Sequence, residues 1–259
     1  MVGDVAATKD GACVRCPIRE KGLCARLPAD EVRFLEHLVI GTRLYPAGAD
    51  LFRQGESCSR YFSVTEGWAF TYTLFEHGRR QILDFALPGA FLGFEPDPEL
   101  PMTYSAQCLT AVRVCITPKR EVYQVLQREA KFALNLCEVE ACQEARANEH
   151  LANIGQRDAL ERVARLIVEL FYRTHDRLPA QAGETSEFPL SLGHISDALG
   201  ISGEHVSRTL RALRELEICD LRKHVLRILD PSSLLRLSDF EQAPRHLRTK
   251  WMHEEADRL

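Results

Sequence analysis

The sequence lacks the features of several common protein classes. It has no uninterrupted apolar run long enough to cross a bilayer, and the residues after Met1 carry neither the basic nor the apolar part of a secretory signal. No P-loop or Rossmann glycine pattern is present, and the Ser, His and acidic residues form no recognisable catalytic constellation. We therefore expect a cytoplasmic protein that is not an enzyme and has no membrane partner.

A strong positive charge is also missing. The chain has 33 Lys and Arg residues against 37 Asp and Glu residues, which gives a formal net charge of −4. This balance argues against a protein that coats nucleic acid, although it permits a local DNA-reading surface. With 259 residues, of which 45% are hydrophobic, the composition is globular and sufficient for two domains with separate cores.

Cysteine, in contrast, is plentiful. The chain has nine, an odd number, and without an export signal they favour reduced thiols or metal ligands over a disulfide framework. Cys13, Cys16 and Cys24 come ahead of any segment with a core-forming pattern. Because four thiolates can hold an iron–sulfur cluster or a zinc ion, we expect a later cysteine to complete the site. The spacing alone does not separate the two metals.

Apolar patterns indicate a chain of the α+β class. Short β-branched and aromatic runs fill residues 41–118, and Gly67, Gly78 and Gly89 recur at regular intervals. These turn signals predict an antiparallel β-roll of the jelly-roll or double-stranded β-helix kind, with Gly78 at a positive φ in a hairpin turn. The predicted segments are a cysteine-rich segment at 1–27, the β-roll at 28–128, a long helix at 129–155, a winged helix-turn-helix domain at 156–236 and a tail at 237–259.

The long helix is a candidate for pairing with a second copy of the chain. Its apolar residues at helical spacing are Phe132, Leu136, Val139, Leu151 and Ile154. The middle of the helix is polar, so the pattern does not indicate a continuous coiled coil, and an ordinary packed helix is the alternative. We predict that Leu151 and Ile154 contribute to dimerisation.

The segment at 191–217 has the spacing of a helix-turn-helix. Gly200 permits the turn and Ser202 can cap the second helix. One face of that helix is apolar, and the opposite face carries Glu204, Ser207, Arg208 and Arg211. Recognition helices contact base edges in this region, and arginine can bond a guanine bidentately. We therefore predict that this face reads double-stranded DNA, with a solvated charged face as the alternative.

Residues 219–230 predict two short strands joined at Lys223 and His224, which form the wing of a winged helix. By contrast, the polar composition at 177–188 predicts a loop.

The order of β-roll, long helix and winged helix-turn-helix resembles the Crp/Fnr family of bacterial transcription regulators. The most specific motif is E-x-x-S-R, present as Glu204, Ser207 and Arg208. In the Fnr branch this pattern reads TTGAT half-sites. The resemblance implies a homodimer that binds palindromic DNA and activates transcription by touching RNA polymerase, with the loop at 76–81 as one candidate contact.

The C-x2-C-x7-C spacing is similar to that of alphaproteobacterial members of the FnrL, FnrN and FixK type. Oxygen-sensing Fnr proteins hold a [4Fe–4S] cluster on three N-terminal cysteines and one in the β-roll, in a segment of the form A-Q-x-L-x(5)-C-x-x-P. The resemblance implies a cluster on Cys13, Cys16, Cys24 and Cys115, with Cys108 as the alternative fourth ligand. The other cysteines, Cys58, Cys137, Cys142 and Cys219, are expected to be small buried or half-buried thiols.

The Crp branch of the same family binds cyclic AMP through an arginine. The corresponding stretch of this chain, 91–107, has no arginine or lysine, and burying a cyclic phosphate without a cation is costly. We therefore expect no cyclic nucleotide. Two alternatives to an oxygen-responsive regulator stay open, namely a regulator with zinc or no metal and a cluster-bearing electron-transfer protein.

Overall fold

The computed structural model describes residues 13–25, 29–95, 97 and 99–240. The start of the predicted cysteine-rich segment and nearly all of the predicted tail at 237–259 lie outside the described residues. None of the helices in the described part is long and apolar enough to cross a membrane. The chain divides into two compact units, Met1–Gln143 and Glu144–Leu259.

The first unit contains the predicted antiparallel β-roll. Its strands are β1 (Gly41–Tyr45), β2 (Asp50–Phe52), β3 (Arg60–Glu66), β4 (Ala69–Leu74), β5 (Arg80–Ala86), β6 (Phe91–Leu92), β7 (Ser105–Cys108) and β8 (Val112–Pro118). They form two four-stranded sheets with the orders β1-β8-β3-β6 and β2-β7-β4-β5. Buried side chains from both sheets share one core, in which the rings of Phe52 and Phe62 stack with centroids 6.1 Å apart.

Strand β8 alternates between the core and the outer surface of the roll. Val114 and Ile116 are 0% exposed, whereas Arg113 and Cys115 between them are partly exposed. Successive side chains on a strand point to opposite faces, so Cys115 is directed away from the core.

The hairpin between β4 and β5 confirms the predicted turn. Gly78 has a φ of 72° and its N–H donates to the Phe75 carbonyl at 2.8 Å. A residue with a side chain rarely adopts this left-handed conformation, which explains the glycine.

Three helices complete the first unit. They are α1 (Ala29–Leu38), α2 (Lys119–Leu126) and α3 (Ala130–Gln156), and the C-terminal half of α3 belongs to the second unit. The predicted long helix is therefore present, and it continues through Gly155. The next helix begins at Asp158, whose carboxylate accepts from the N–H groups of Leu160 and Glu161 at 2.8 and 2.9 Å.

The second unit is a winged helix-turn-helix. Its remaining elements are α4 (Ala159–His175), β9 (Thr185–Glu187), α5 (Leu192–Leu199), α6 (Gly203–Glu215), β10 (Cys219–Arg222), β11 (Val225–Ile228) and α7 (Pro231–Ser238). The prediction of a loop throughout 177–188 was wrong, because β9 adds a third strand to the wing by pairing with β11. Only Ser186 of β9 is buried, and three residues are too few for an alternating pattern to be recognised.

Arg165 fastens the C-terminal half of α3 to the second unit. Its side chain is 3% exposed and bonds the Glu149 carboxylate at 3.0 Å and the Asp239 carbonyl at 3.0 Å, while its guanidinium lies 4.6 Å from the Phe240 ring centroid. A buried charge is tolerated only with such partners. The end of the long helix is thereby held to the helices of the DNA-binding fold.

Candidate metal centre and nucleic-acid interface

The cysteine-rich segment forms a short chain of turns at 13–25. The N–H of Cys16 donates to the Cys13 carbonyl at 3.3 Å, and the N–H of Arg19 donates to the Cys16 carbonyl at 2.9 Å. A single 3-10 turn follows at Gly22–Cys24. Ile18 and Leu23 are 5% and 8% exposed, so apolar burial holds the segment against the protein although this one turn is its only helix or strand.

Two glycines bring the cysteine segment into close contact with the β-roll. Gly22 has a φ of +58°, and a Cβ at this position would lie 2.0 Å from the carbonyl oxygen of Gly89. Gly89 also has a positive φ, and a Cβ there would lie 2.8 Å from the Cβ of Lys21. Neither position can accept a side chain without a shift of the backbone. The paired glycines fix the cysteines on the turn between β5 and β6.

The outward face of β8 receives this segment. Burial raises the pKa of the Cys115 thiol to about 12, and the thiols of Cys13, Cys16 and Cys24 raise it further. The pKa of Cys13 is likewise raised to about 12, first by burial and then by Cys24, Glu36 and Cys16. The structure thus brings the three N-terminal cysteines and Cys115 into one group of half-buried thiols, in which the neighbouring thiols disfavour ionisation of Cys115.

Arg19 is the cation beside this group. Burial and Cys16 raise the pKa of Cys24 to about 11, and the Arg19 charge acts in the opposite direction. The guanidinium also donates to the Cys24 carbonyl. Arg19 therefore both shapes the turn and offsets part of the negative charge that the thiolates would carry.

Within the described residues, no three His, Cys, Asp or Glu side chains are arranged to hold a metal ion. A tetrahedral zinc ion with Zn–S bonds of about 2.3 Å requires sulfur atoms roughly 3.8 Å apart. An iron–sulfur cluster is larger than a single ion, and each thiolate can bind a different iron atom. The group has four thiols, as many as a [4Fe–4S] cluster takes as ligands.

The other cysteines lie elsewhere. Cys108 and Cys219 are each 1% exposed, and Cys108 belongs to the core of the roll. The Cys58 thiol donates to the Arg60 carbonyl at 3.3 Å. Cys137 is exposed, so the expectation that it is buried or half-buried was wrong. It lies on the outer face of α3, where an apolar pattern alone does not distinguish core from surface.

The helix-turn-helix is built from capped helices at the predicted positions. Gly200 ends α5 with a φ of 64°, and the Ser202 hydroxyl accepts from the N–H of His205 at 3.2 Å to begin α6. Val206 and Leu213 are 0% exposed, and Thr209 at 5% completes the buried face. Burial of this face fixes which side of α6 faces outward.

The outward side of α6 carries the predicted DNA-reading residues. Glu204, Arg208 and Arg211 are exposed, and Ser207 is half-buried. In the described part of the chain, no hydrogen bond or ion pair engages the side chains of Glu204, Arg208 or Arg211. They are therefore available to an external partner without breaking an internal contact.

The wing is the tight hairpin that the sequence predicts. Lys223 and His224 occupy its turn with φ values of 50° and 63°, the two left-handed residues of a type I′ turn. Asp220 pairs with Arg222 at 3.1 Å and lies 4.0 Å from Arg214, which neutralises part of the local positive charge. Lys223 and Arg227 stay exposed beside it.

The face that α3 exposes to solvent differs from the face that its apolar pattern predicts for dimerisation. Phe132, Leu136 and Val139 are 3–4% exposed and belong to the interior of the first unit, so placing them in a dimer seam was wrong. The opposite face carries an exposed stripe of Leu134, Cys137, Ala141 and Leu151. Leu134 and Leu151 are 65% and 70% exposed, whereas Ile154 is half-buried. Leu134, Cys137 and Ala141 are three and four residues apart, which keeps them on one side of the helix, and Leu151 follows ten residues later.

Two family models match the chain. The model of the cyclic nucleotide-binding domain matches residues 42–129, and that of the Crp-like helix-turn-helix domain matches residues 161–237. The nitrogen fixation regulation protein FixK of Bradyrhizobium diazoefficiens is 31% identical over 227 residues, which cover 87% of this chain and 93% of FixK. The chain belongs to the Crp/Fnr family of transcription regulators.

Other Crp/Fnr proteins agree with this assignment. The transcriptional activator protein FnrL of Cereibacter sphaeroides is 28% identical, over 83% of this chain and 87% of its own length. The solved structure of FixK2 from Bradyrhizobium japonicum has a TM-score of 0.68 and 25% identity, and the match covers 76% of this chain and 96% of that one. Crp/Fnr regulators bind DNA and act as dimers, and they are not enzymes.

For the dimer, we expect Leu151→Glu to favour the monomer. If Leu151 is buried between two symmetric chains, the change loses its burial twice and places two carboxylates together, which costs about 3 kcal/mol or more, roughly 100-fold in the dimer dissociation constant. Analytical sedimentation measures this constant. Leu100→Glu, at a leucine that is 56% exposed in the β-roll, is the matched control and should leave it unchanged. A dimer that persists in a Leu151→Glu, Ile154→Glu double variant would place the seam elsewhere.

Proposed function

We propose that this Crp/Fnr regulator responds to oxygen through a [4Fe–4S] cluster and, when the cluster is intact, binds TTGAT-type palindromes as a dimer. The observation that carries the proposal is the group formed by Cys13, Cys16, Cys24 and Cys115. Their half-buried thiols lie together at the outer face of β8, where the three N-terminal thiols raise the pKa of Cys115. Bound iron would relieve this repulsion, because its positive charge favours the thiolate form.

The proposed site consists of the four thiols, a nearby cation and a close backbone contact that holds the cysteine segment. Cys13, Cys16, Cys24 and Cys115 would hold the cluster, which supplies iron that oxygen can oxidise. Arg19 would offset negative charge beside Cys24, and the Gly22–Gly89 contact would keep the three N-terminal thiols against β8. Partial burial would restrict the access of solvent and oxygen.

The hydrogen bonds of Glu95 support the proposal that the protein does not bind a cyclic nucleotide. This residue lies in the stretch that resembles the nucleotide-binding segment of the Crp branch, and it is 6% exposed. Its carboxylate accepts from both the N–H and the hydroxyl of Thr103 at 2.9 Å. An acidic side chain engaged in this way, in a segment without a cation, disfavours a phosphate.

We further propose that the protein activates transcription through RNA polymerase. The relative FnrL is named as a transcriptional activator. The loop at 76–81 projects from the hairpin between β4 and β5, and the neighbouring Leu74 and Phe75 are each 53% exposed. This combination of apolar and charged residues suits a protein contact. Since its target is the chromosome, we place the protein in the cytoplasm.

Anaerobic purification followed by controlled exposure to oxygen tests the function. We expect about four iron and four sulfide ions per chain, a brown colour and binding to a TTGAT palindrome that is lost on exposure to oxygen. A colourless protein with one zinc ion per chain, or DNA binding that does not change on exposure to oxygen, would refute the proposed oxygen response. The protein would then be a Crp/Fnr regulator of another kind. A stable cluster without any effect on DNA binding would favour electron transfer.

The glycine contact gives a second, sterically defined test. Gly22→Ala should lower the iron content of the anaerobic protein, because its Cβ would overlap the Gly89 carbonyl oxygen. Gly48→Ala is the matched control, since Gly48 also has a positive φ, of +79°, but has nothing within 4 Å of a Cβ. Both variants incur the left-handed cost of about 1–2 kcal/mol, so only the overlap differs. Equal iron contents would show that the contact does not support the site.

A further inference from the structure

The cysteine segment is joined to the long helix by one buried side chain. Asn135 on α3 is 5% exposed, and its Nδ2 donates to the main-chain carbonyl of Leu23. These residues are 112 positions apart in sequence. A carbonyl of the 3-10 turn that carries Cys24 thus receives its hydrogen bond from the helix and not from its own segment.

The bond links two segments of the first unit that are far apart in sequence. Leu23 immediately precedes Cys24, so any change in the backbone at Cys24 displaces the Leu23 carbonyl. Asn135 lies next to Leu134, the first residue of the exposed stripe on α3. A shift or rotation of this turn of helix changes the position of Leu134 directly.

A second amide on the same helix provides a comparison. Gln143 Nε2 lies 3.5 Å from the carbonyl of Phe91, which belongs to strand β6. Both side chains therefore join α3 to a main-chain carbonyl of the first unit. Only Asn135 reaches the cysteine segment, whereas Gln143 reaches the sheet.

We propose that Asn135 is the positioning residue through which the state of the cysteine site sets the arrangement of the long helix. The inference rests on the proposed function, because it requires that the four cysteines hold a cluster. When the cluster is intact, the Leu23 carbonyl is fixed and Asn135 holds the first turns of α3 in the arrangement that pairs with a second copy. When the cluster is lost, the turn at Gly22–Cys24 relaxes and the helix is no longer held.

The Asn135–Leu23 bond couples the turn that carries Cys24 to the long helix. A buried amide or carbonyl left without a partner is unfavourable, so the position of the turn and that of the helix depend on each other. Coupling between two sites in proteins commonly changes affinity by about 5- to 150-fold. We expect loss of the cluster to raise the dimer dissociation constant of the wild type within this range.

The test compares dimerisation with and without the cluster in Asn135→Leu, which has a similar volume but no donor. Sedimentation under anaerobic conditions gives the dimer dissociation constant of the cluster-loaded protein and of the same protein after chelation of its iron. We expect the ratio of the two constants to fall to about one, while iron and sulfide per chain stay at the wild-type level. Gln143→Leu is the matched control and should keep the wild-type ratio.

Hydrogen exchange supplies a readout that does not depend on assembly. In the wild type, loss of the cluster should speed amide exchange at 132–139, and in Asn135→Leu the exchange should be the same with and without it. Asn135→Asp, which is isosteric and cannot donate when ionised, should behave like Asn135→Leu.

Several results would overturn the coupling. One is that both Asn135 variants keep the wild-type ratio of dimer dissociation constants with and without the cluster. Another is that Gln143→Leu lowers this ratio as much as the Asn135 variants do. A third is that the Asn135 variants fold but fail to retain the cluster. The last result would mean that Asn135 builds the site and does not transmit its state. A wild-type protein without a cluster would instead refute the proposed function, so the two failures are distinguishable.

Discussion

Cys115→Ala is expected to remove the cluster from anaerobically purified protein, with iron and sulfide falling from about four each per chain to near zero. Cys115 is the contribution of the β-roll to the thiol group, and without it the three N-terminal cysteines have no partner on β8. Cys137→Ala is the control, since Cys137 is exposed on the outer face of α3, and it should keep its iron. The measurement is iron and sulfide analysis together with visible absorbance.

Cys108→Ala distinguishes the two candidates for the fourth ligand. Cys108 is 1% exposed within the core, and burial followed by the charge of Asp50 raises its pKa to about 12. This variant should therefore lose about 1 kcal/mol of stability from the core and retain its cluster. The opposite pattern, with iron lost in Cys108→Ala and kept in Cys115→Ala, would show that our assignment of the fourth ligand is wrong.

Much of the fold could be predicted because its signals are local. A positive φ at Gly78 and a cap at Ser202 each depend on a few neighbouring residues, and the structure has both. The wing turn at Lys223 and His224 was also predicted, although neither residue is the usual choice at a left-handed position. Here the flanking apolar alternation, not the turn residues, carried the prediction.

The exposed face of α3 was only partly predictable, because the helix has apolar residues on two faces. A period of 3.6 identifies residues that share a face but does not tell which face meets the protein. Phe132, Leu136 and Val139 pack inside the first unit, whereas Leu134 and Leu151 lie outside. Leu134 was missed because it is flanked by residues of the buried face and does not extend a visible apolar repeat.

The supporting contacts of the candidate metal centre were missed for a different reason. Gly22, Gly89 and Asn135 matter through contacts with distant residues, and the Asn135–Leu23 bond spans 112 positions. No local pattern encodes such a contact. The only local signal in the sequence was Gly22, two residues before Cys24, which is also explained by a simple turn. The cysteines themselves could be identified because their residue type restricts their chemistry.

Base reading by Arg208 is the second prediction with a large expected effect. Arg208 is exposed in the opening turns of α6, on the side opposite Val206 and Leu213, which are 0% exposed. Its guanidinium is therefore placed to bond the guanine of the proposed TTGAT half-site bidentately. Arg208→Ala should cost about 1–3 kcal/mol per half-site and relax the preference at that base pair. Because a dimer contacts two half-sites, the loss counts twice for a palindrome.

Lys223→Ala is the comparison that distinguishes base-specific recognition from electrostatic attraction to phosphate. Lys223 lies exposed in the wing turn, where it can meet phosphate but not a base edge. Its loss should weaken binding to all sequences alike and make the binding less dependent on salt. Competition binding under anaerobic conditions, with matched and guanine-substituted sites, measures both effects. If Arg208→Ala discriminates between these sites as well as the wild type does, then Arg208 is not the reader, and Arg211, one turn further along the same exposed face, becomes the residue to test.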